Sequence, residues 1–210
     1  MVFECKTGRC KIGIMGGTFD PIHFGHLVLA EEIRHNFGLD KIFFVPVGVP
    51  PHKGAYTITD KELRYTMTLL ASMTNPNFEV SKIEIESEEV SFTINTIKKI
   101  KERLDNENVE IYFITGADAI MTIESWRDYK ELLTLCNFIG ATRPGIHAGH
   151  LEEKIDYLRE TYGANIHLTH IPGLAISSTD IRERVRDGRS FKYLLPEAVE
   201  AFIIKNDLYK

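Results

Sequence analysis

Gly16-Gly17-Thr18-Phe19-Asp20-Pro21-Ile22-His23-Phe24-Gly25-His26 lies between a short apolar run, Ile12, Ile14 and Met15, and an apolar-periodic segment, Leu27, Leu29, Ala30 and Ile33. That order predicts a strand, a glycine turn and then a helix. Two adjacent glycines let a bulky anion approach the backbone with no Cβ in the way. A helix N-terminus presents N–H groups without intrahelical partners and a partial positive charge, which suits phosphate. His23 and His26, three residues apart, share one side of the first helical turn. Imidazole N–H donors there suit a phosphate chain and the charge that develops when it is cleaved. A pair of helix-starting histidines also occurs for structural reasons alone, so the weight rests on the order of the whole stretch.

Outward from this stretch the chain alternates strand and helix patterns. Lys11–Met15 reads as the first strand and Phe24–Phe37 as the helix after it, ended by Gly38. Lys41–Val47 is a second strand, with Pro46 marking an edge or a strand end. Asp60–Met73 is a helix with Leu63, Met67 and Leu70 at helical spacing and Asp60 as N-cap or first-turn acid. Phe78, Val80, Ile83 and Ile85 suggest one or two short strands. A helix opens at Ser91–Thr96 and buries Ile94, Ile97, Ile100 and Leu104. Val109–Thr115 is the clearest central strand, and Cys136–Thr142 and Asn165–Ile171 are two more, with a helix over Leu151–Tyr162 between them. Ser177-x-x-Asp180 has capping-box spacing, and Pro196 starts the last helix. The pattern implies an α/β fold, a doubly wound parallel sheet with helices on both faces in three α/β/α layers. Right-handed crossovers then bring the loops after the strands to one edge.

The chain has 210 residues, enough for one α/β domain: residues 1–10 read as an extension and residues 11–210 as a single domain. A formal net charge of -5 argues against non-specific nucleic-acid binding, so a polyanionic ligand must be met by local basic groups. No apolar stretch is long enough to span a bilayer, and the first residues lack a secretory apolar region, which points to the cytoplasm and away from membranes. Three cysteines, Cys5, Cys10 and Cys136, fit a reducing compartment. Cys5 and Cys10 alone fall short of the four ligands of a structural zinc site.

Several polar stretches follow predicted strands. Pro50-Pro51-His52-Lys53-Gly54 projects His52 and Lys53 from a stiff base, or is a solvated turn. Glu84, Glu86, Glu88 and Glu89 read as a solvated acidic loop rather than a metal cluster. Asp118, just past a strand's carboxyl end, suits ribose hydroxyls or caps a helix. Trp126 is by default a core residue. Arg182 near a helix N-terminus is unfavourable unless an anion binds there or the side chain lies in water. His147-Ala148-Gly149-His150 repeats the His-x-Gly-His spelling without its approach sequence and reads as a decoy.

The opening stretch is neither Gly-x-Gly-x-x-Gly nor a P-loop. It resembles the His-x-Gly-His motif of the nucleotidyltransferase superfamily, and GGTFDPIHFGH looks like the bacterial nicotinate mononucleotide adenylyltransferases. Pro50–Lys53, Gly116-Ala117-Asp118 with Trp126, and Ile176–Arg182 resemble that family's remaining motifs, in the same order. The resemblance implies a Rossmann-like nucleotidyltransferase fold and adenylyl transfer from ATP to nicotinate mononucleotide, with Mg²⁺ carried on the ATP. It implies His23 and His26 as catalytic. Gly16, Gly17, Thr18, Phe19, Gly25, Ser177, Ser178, Thr179 and Arg182 join them on ATP, and Lys53, Thr93, Asp118, Trp126 and Arg143 take the acceptor. Two positions depart from the family pattern: Asn95, where an aspartate is common, and Arg127, where a tyrosine is common. A transferase with another acceptor and a non-catalytic nucleotide sensor are the rival readings, and oligomeric state, including a homo-oligomer, stays open.

Overall fold

The strands form because the apolar runs are bounded by glycine, proline and polar turns, and they assemble into one parallel sheet. The computed structural model describes residues 10–51, 57–104, 108–142, 148–170 and 175–210. In chain order the elements are β1 (Cys10–Gly17), α1 (Phe24–Phe37), β2 (Lys41–Pro46), α2 (Lys61–Ser72), β3 (Phe78–Val80), α3 (Thr93–Leu104) and β4 (Val109–Gly116). There follow α4 (Ala117–Met121), α5 (Tyr129–Leu135), β5 (Asn137–Thr142), α6 (Ala148–Tyr162), β6 (Ile166–His170), α7 (Ser178–Arg186) and α8 (Glu197–Lys205). The strand order is β3-β2-β1-β4-β5-β6, all pairs parallel. The order reverses between β1 and β4, the place where ligands bind outside the carboxyl ends of an open parallel sheet.

Strand alternation divides the core between the two faces. Ile12, Ile14, Phe43, Val45, Ile111, Phe113 and Phe138 pack with Ile94, Ile97 and Ile100 of α3, Leu132 of α5 and Leu158 of α6. Met15, Ile42, Phe44, Tyr112, Ile114 and Ile139 face the other way, against Ile33 of α1, Met67 of α2, Ile181 of α7 and Val199 of α8. The three-layer arrangement expected from the sequence is thus present.

Pro46 ends β2, the second of its two expected placements, in a strand that is interior, with β1 and β3 on its sides. Three details differ from the sequence reading. β1 runs through both glycines instead of stopping at Met15. Only Phe78–Val80 is a strand; Ile83 and Ile85 are buried within turns. Ser177 accepts a hydrogen bond from the Asp180 N–H, but the Asp180 carboxylate binds Arg184, so only half of the capping box forms. The cysteines also differ in state: Cys10 is disulfide-bonded, whereas Cys136 is free and buried. Burial pushes the Cys136 thiol up to about 12. Among the described residues no helix is long and apolar enough to cross a membrane.

Candidate active site

The site starts where β1 hands over to α1. Phe19 takes φ of 49°, a left-handed conformation, and its ring lies 2.8 Å from where a Cβ on Gly17 would sit. Gly17 is therefore required by Phe19 itself. A Cβ on Gly16 would meet Phe113 only at an ordinary 3.7 Å, so the glycine pair is not explained by ligand approach alone.

His23 is the N-cap of α1 and His26 its third residue. The His23 N–H donates to His26 Nδ1 at 3.3 Å, and the rings stack with centroids 3.8 Å apart. Phe19 meets the His26 ring edge-on at 5.1 Å. With Nδ1 accepting, neutral His26 carries its proton on Nε2, the donor form a phosphate oxygen needs. A Cβ on Gly25 would press on the His23 ring at 3.0 Å, so that glycine makes room for the histidine.

α7 docks onto this turn. Ser177 caps it, and Ser178 Oγ donates to the Pro21 carbonyl at 2.8 Å. Arg182 Nη1 donates to the Asp20 carbonyl at 2.7 Å and Nη2 to Thr179 Oγ1 at 3.3 Å. Arg182 is thus the fifth residue of α7 rather than a first-turn residue, and it bridges to the His-x-Gly-His segment instead of lying in water. Residues more than 150 positions apart in sequence meet at this one edge.

A cavity of about 620 Å³ adjoins the turn and shares Gly16, Gly17 and Thr18 with it. Its other walls include Phe92 and Thr93 at the start of α3, Phe113 of β4, and Trp126 and Arg127. Trp126 stands edge-on to Phe113 with centroids 5.9 Å apart, so it serves the core and the cavity wall together. Arg127 lies in the turn between the 3-10 turn Ile123–Ser125 and α5, not on a helix face. Its guanidinium sits 4.8 Å from the Phe92 ring centroid.

Not every predicted residue reaches this cavity. Asp118 is exposed in the first turn of α4, stacked over Gly116, which is the N-cap; Asp118 is absent from the cavity lining. Asn95 borders a separate small hollow with Glu89 and Lys99. Lys53 with His52, and Arg143, lie outside the described residues, as does His147 of the second His-x-Gly-His. His150 of that copy is exposed beside Glu153, at 3.7 Å.

The sequence reading missed Glu84. Glu86, Glu88 and Glu89 do face solvent, opposite Arg103, Lys61 and Lys99. Glu84 turns inward instead, lines the cavity and accepts from Thr96 Oγ1 at 2.5 Å. Burial pushes its carboxyl above the usual range, against the opposing effect of hydrogen bonds from Thr96, Ser91 and the Gly48 backbone. The Gly48 N–H also donates to Ser91 Oγ at 3.2 Å, tying the loop after β2 to the approach to α3. Buried Ile83 and Ile85 hide this in a strand-like reading, where residue 84 would point outward. The segment turns there, so alternation does not apply.

Residues 14–184 match the family described as cytidylyltransferase-like. A relative from Thermoanaerobacter sp. (strain X514), named "Probable nicotinate-nucleotide adenylyltransferase", is 56% identical over 95% of this chain and 94% of its own. One of the same name from Moorella thermoacetica is 54% identical over 95% and 92%. Among solved structures, the Plasmodium falciparum nicotinic acid mononucleotide adenylyltransferase complexed with NaAD superposes with a TM-score of 0.75 at 24% identity, covering 95% of this chain and 97% of that one. That likeness concerns the fold, whereas the identity to the bacterial relatives reaches across nearly the whole sequence. The chain belongs to the cytidylyltransferase-like family and, within it, to the nicotinate-nucleotide adenylyltransferases.

Proposed function

We propose that this protein transfers the adenylyl group of ATP to nicotinate mononucleotide, giving nicotinate adenine dinucleotide and pyrophosphate, a step of NAD biosynthesis in the cytoplasm. The observation that carries this reading is the junction of two unlike halves at Gly16–Thr18. On one side are imidazoles, hydroxyls and a guanidinium; on the other is an aromatic-walled cavity with Arg127 over Phe92. The names of the bacterial relatives support it, and a neighbouring solved structure of the same fold was captured with the dinucleotide product.

In this mechanism an oxygen of the acceptor's phosphate attacks the α-phosphorus of ATP in line. A bond forms between that oxygen and the α-phosphorus, and the bond to the bridging oxygen of the β-phosphate breaks. The attacking group is already an anion at neutral pH, so no general base is required, and the protein's part is positioning and charge neutralisation. His23 and His26 are assigned to the α- and β-phosphates, Ser178 and Arg182 to the β/γ end, and Gly16–Phe19 and Gly25 to the path between. Thr93 and Trp126 are assigned to the pyridine ring, Lys53 and Arg143 to the acceptor's phosphate side, and Asp118 to a ribose hydroxyl. The donor set at the crevice suits phosphate oxygens rather than a divalent ion. Mg²⁺ brought with ATP would supply charge neutralisation there, with no side chain of the described residues assigned to hold it.

Pyrophosphate release from ATP, measured with nicotinate mononucleotide, nicotinamide mononucleotide and phosphopantetheine in parallel, tests the reading. Nicotinate mononucleotide is expected to be preferred strongly, by up to about 10⁴-fold where a site is built on polar matching. Equal efficiency with either mononucleotide would remove the nicotinate assignment, and no release with any acceptor would favour a nucleotide sensor.

A further inference from the structure

Two buried charged side chains outside the assigned ligand contacts bind the crevice together from behind. Arg64 of α2 is only 2% exposed. Its Nη1 donates to the Thr18 carbonyl at 2.8 Å, its Nε to the Thr59 carbonyl at 2.8 Å, and its Nη2 to the Gly48 carbonyl at a long 3.5 Å. One planar guanidinium therefore touches the turn after β1, the residue two beyond β2 and the residue just before the α2 N-cap. Asp20 is likewise 2% exposed. Its Oδ2 accepts from the Thr59 N–H at 3.2 Å and its Oδ1 from the Tyr209 hydroxyl at 2.7 Å. Thr59 is thus held by both backbone groups, its carbonyl by Arg64 and its N–H by Asp20. Tyr209 reaches this point from the segment after α8, in a left-handed conformation with φ of 67°.

The held atoms are not remote from the chemistry. Thr18 lines the cavity, and the Asp20 carbonyl is the anchor of Arg182. Gly48 is bonded through Ser91 to the approach of α3, which carries Thr93. Thr18 and Asp20 lie on the side assigned to ATP, and Gly48 with Ser91 on the side assigned to the acceptor.

We propose that Arg64 and the Asp20–Tyr209 pair are positioning residues that set the donor side of the crevice against the acceptor side. This rests on the adenylyl-transfer reading above. In-line transfer needs the attacking oxygen within a narrow distance and angle of the phosphorus, so an error in the spacing between two intact half-sites lowers turnover more than affinity. A guanidinium is suited to the task, because its donors diverge in a rigid plane that a lysine cannot reproduce. The Tyr209 hydroxyl stays protonated as a donor, its pKa raised by burial and by Asp20.

The tests are Tyr209→Phe, which deletes one hydroxyl, and Arg64→Lys, which keeps the charge and loses the fork. For each, kcat and acceptor KM are measured per folded molecule, and ATP affinity is measured without acceptor. The expected result is a fall in kcat of about 10- to 100-fold, with ATP Kd and acceptor KM within about 3-fold of wild type. Should wild type release no pyrophosphate, the functional reading fails on its own account. Positioning is overturned if kcat per folded molecule stays within about 2-fold, or if the loss appears wholly in ATP affinity. If Arg64→Lys does not fold, Tyr209→Phe alone decides by the same criteria.

Discussion

His26 combines two duties that a single substitution separates poorly: its Nδ1 accepts from the N-cap backbone, and its Nε2 is the nitrogen assigned to donate to phosphate. His26→Ala is expected to lower kcat by about 10²–10³-fold through loss of a preorganised donor. It should also cost about 0.5–2 kcal/mol in stability through loss of the cap. Steady-state rates beside urea unfolding measure both; near-wild-type turnover would remove His26 from the reaction. Arg127 has a narrower role. Arg127 is exposed and lies 4.8 Å from the half-buried Phe92 ring, and a cation–π contact with a solvent-exposed cation is worth about 0.5–1 kcal/mol. Arg127→Ala should therefore reduce the kcat/KM preference for nicotinate over nicotinamide mononucleotide by roughly 2- to 5-fold. An unchanged ratio would take Arg127 out of acceptor choice. At this scale the histidines and Ser178 were readable from sequence, because they stand in an ordered motif beside a strand end. Arg64 and Glu84 were not. Each is a charged residue on an amphipathic or acidic stretch, and only tertiary contacts turn it inward.

Loops rather than strands join the two half-sites, and the tightest junction is at Gly48. A Cβ there would be driven into the Glu84 carbonyl oxygen, and a backbone atom cannot swing aside as a flexible side chain would. Gly48→Ala is expected to destabilise by about 1–3 kcal/mol, as overpacking does, and to raise acceptor KM more than the KM for ATP. Equal stability in urea would mean that the two loops separate easily. The strands were legible because dense β-formers such as Ile42–Val45 and Ile111–Ile114 are bounded by turn residues. α1 was legible through its Gly38 stop, which takes φ of 61°. α5 carries no such signal: it has seven residues and is set off by Asp128 at φ of 51°, a left-handed position taken here by an aspartate rather than by the glycine that marks such a turn in sequence.

Across the molecule, the half-buried Glu84 makes stability depend on pH in a direction opposite to that of a paired surface carboxylate. The folded state holds its proton more tightly than the unfolded chain, whose value is near 4.5. The resulting stabilisation is complete below that value and is lost as pH rises through the higher folded value. Glu84→Gln keeps an acceptor for Thr96 and removes the titration. The unfolding free energy of wild type minus that of Glu84→Gln should therefore shrink as pH rises from about 4.5 toward neutrality. A constant or growing difference in urea titrations would show that the carboxyl ionises without penalty. The sheet and its layers were readable because alternation and crossover rules act over the whole chain; the hydrogen bonds that close the site were not, since no periodicity records contacts of this range. That range has a consequence for biosynthesis. Asp20 and Tyr209 are 189 residues apart. At about 5–20 residues per second, the ribosome delivers the hydroxyl roughly 10–40 s after the carboxylate it supports. Ser178 and Arg182 also follow the turn they brace by more than 150 residues, so for that interval the glycine–histidine turn exists as a sequence without its props. A growing chain thus has no finished nucleotide site to fill until these residues have emerged, by which point all six strands of the sheet are available to fold.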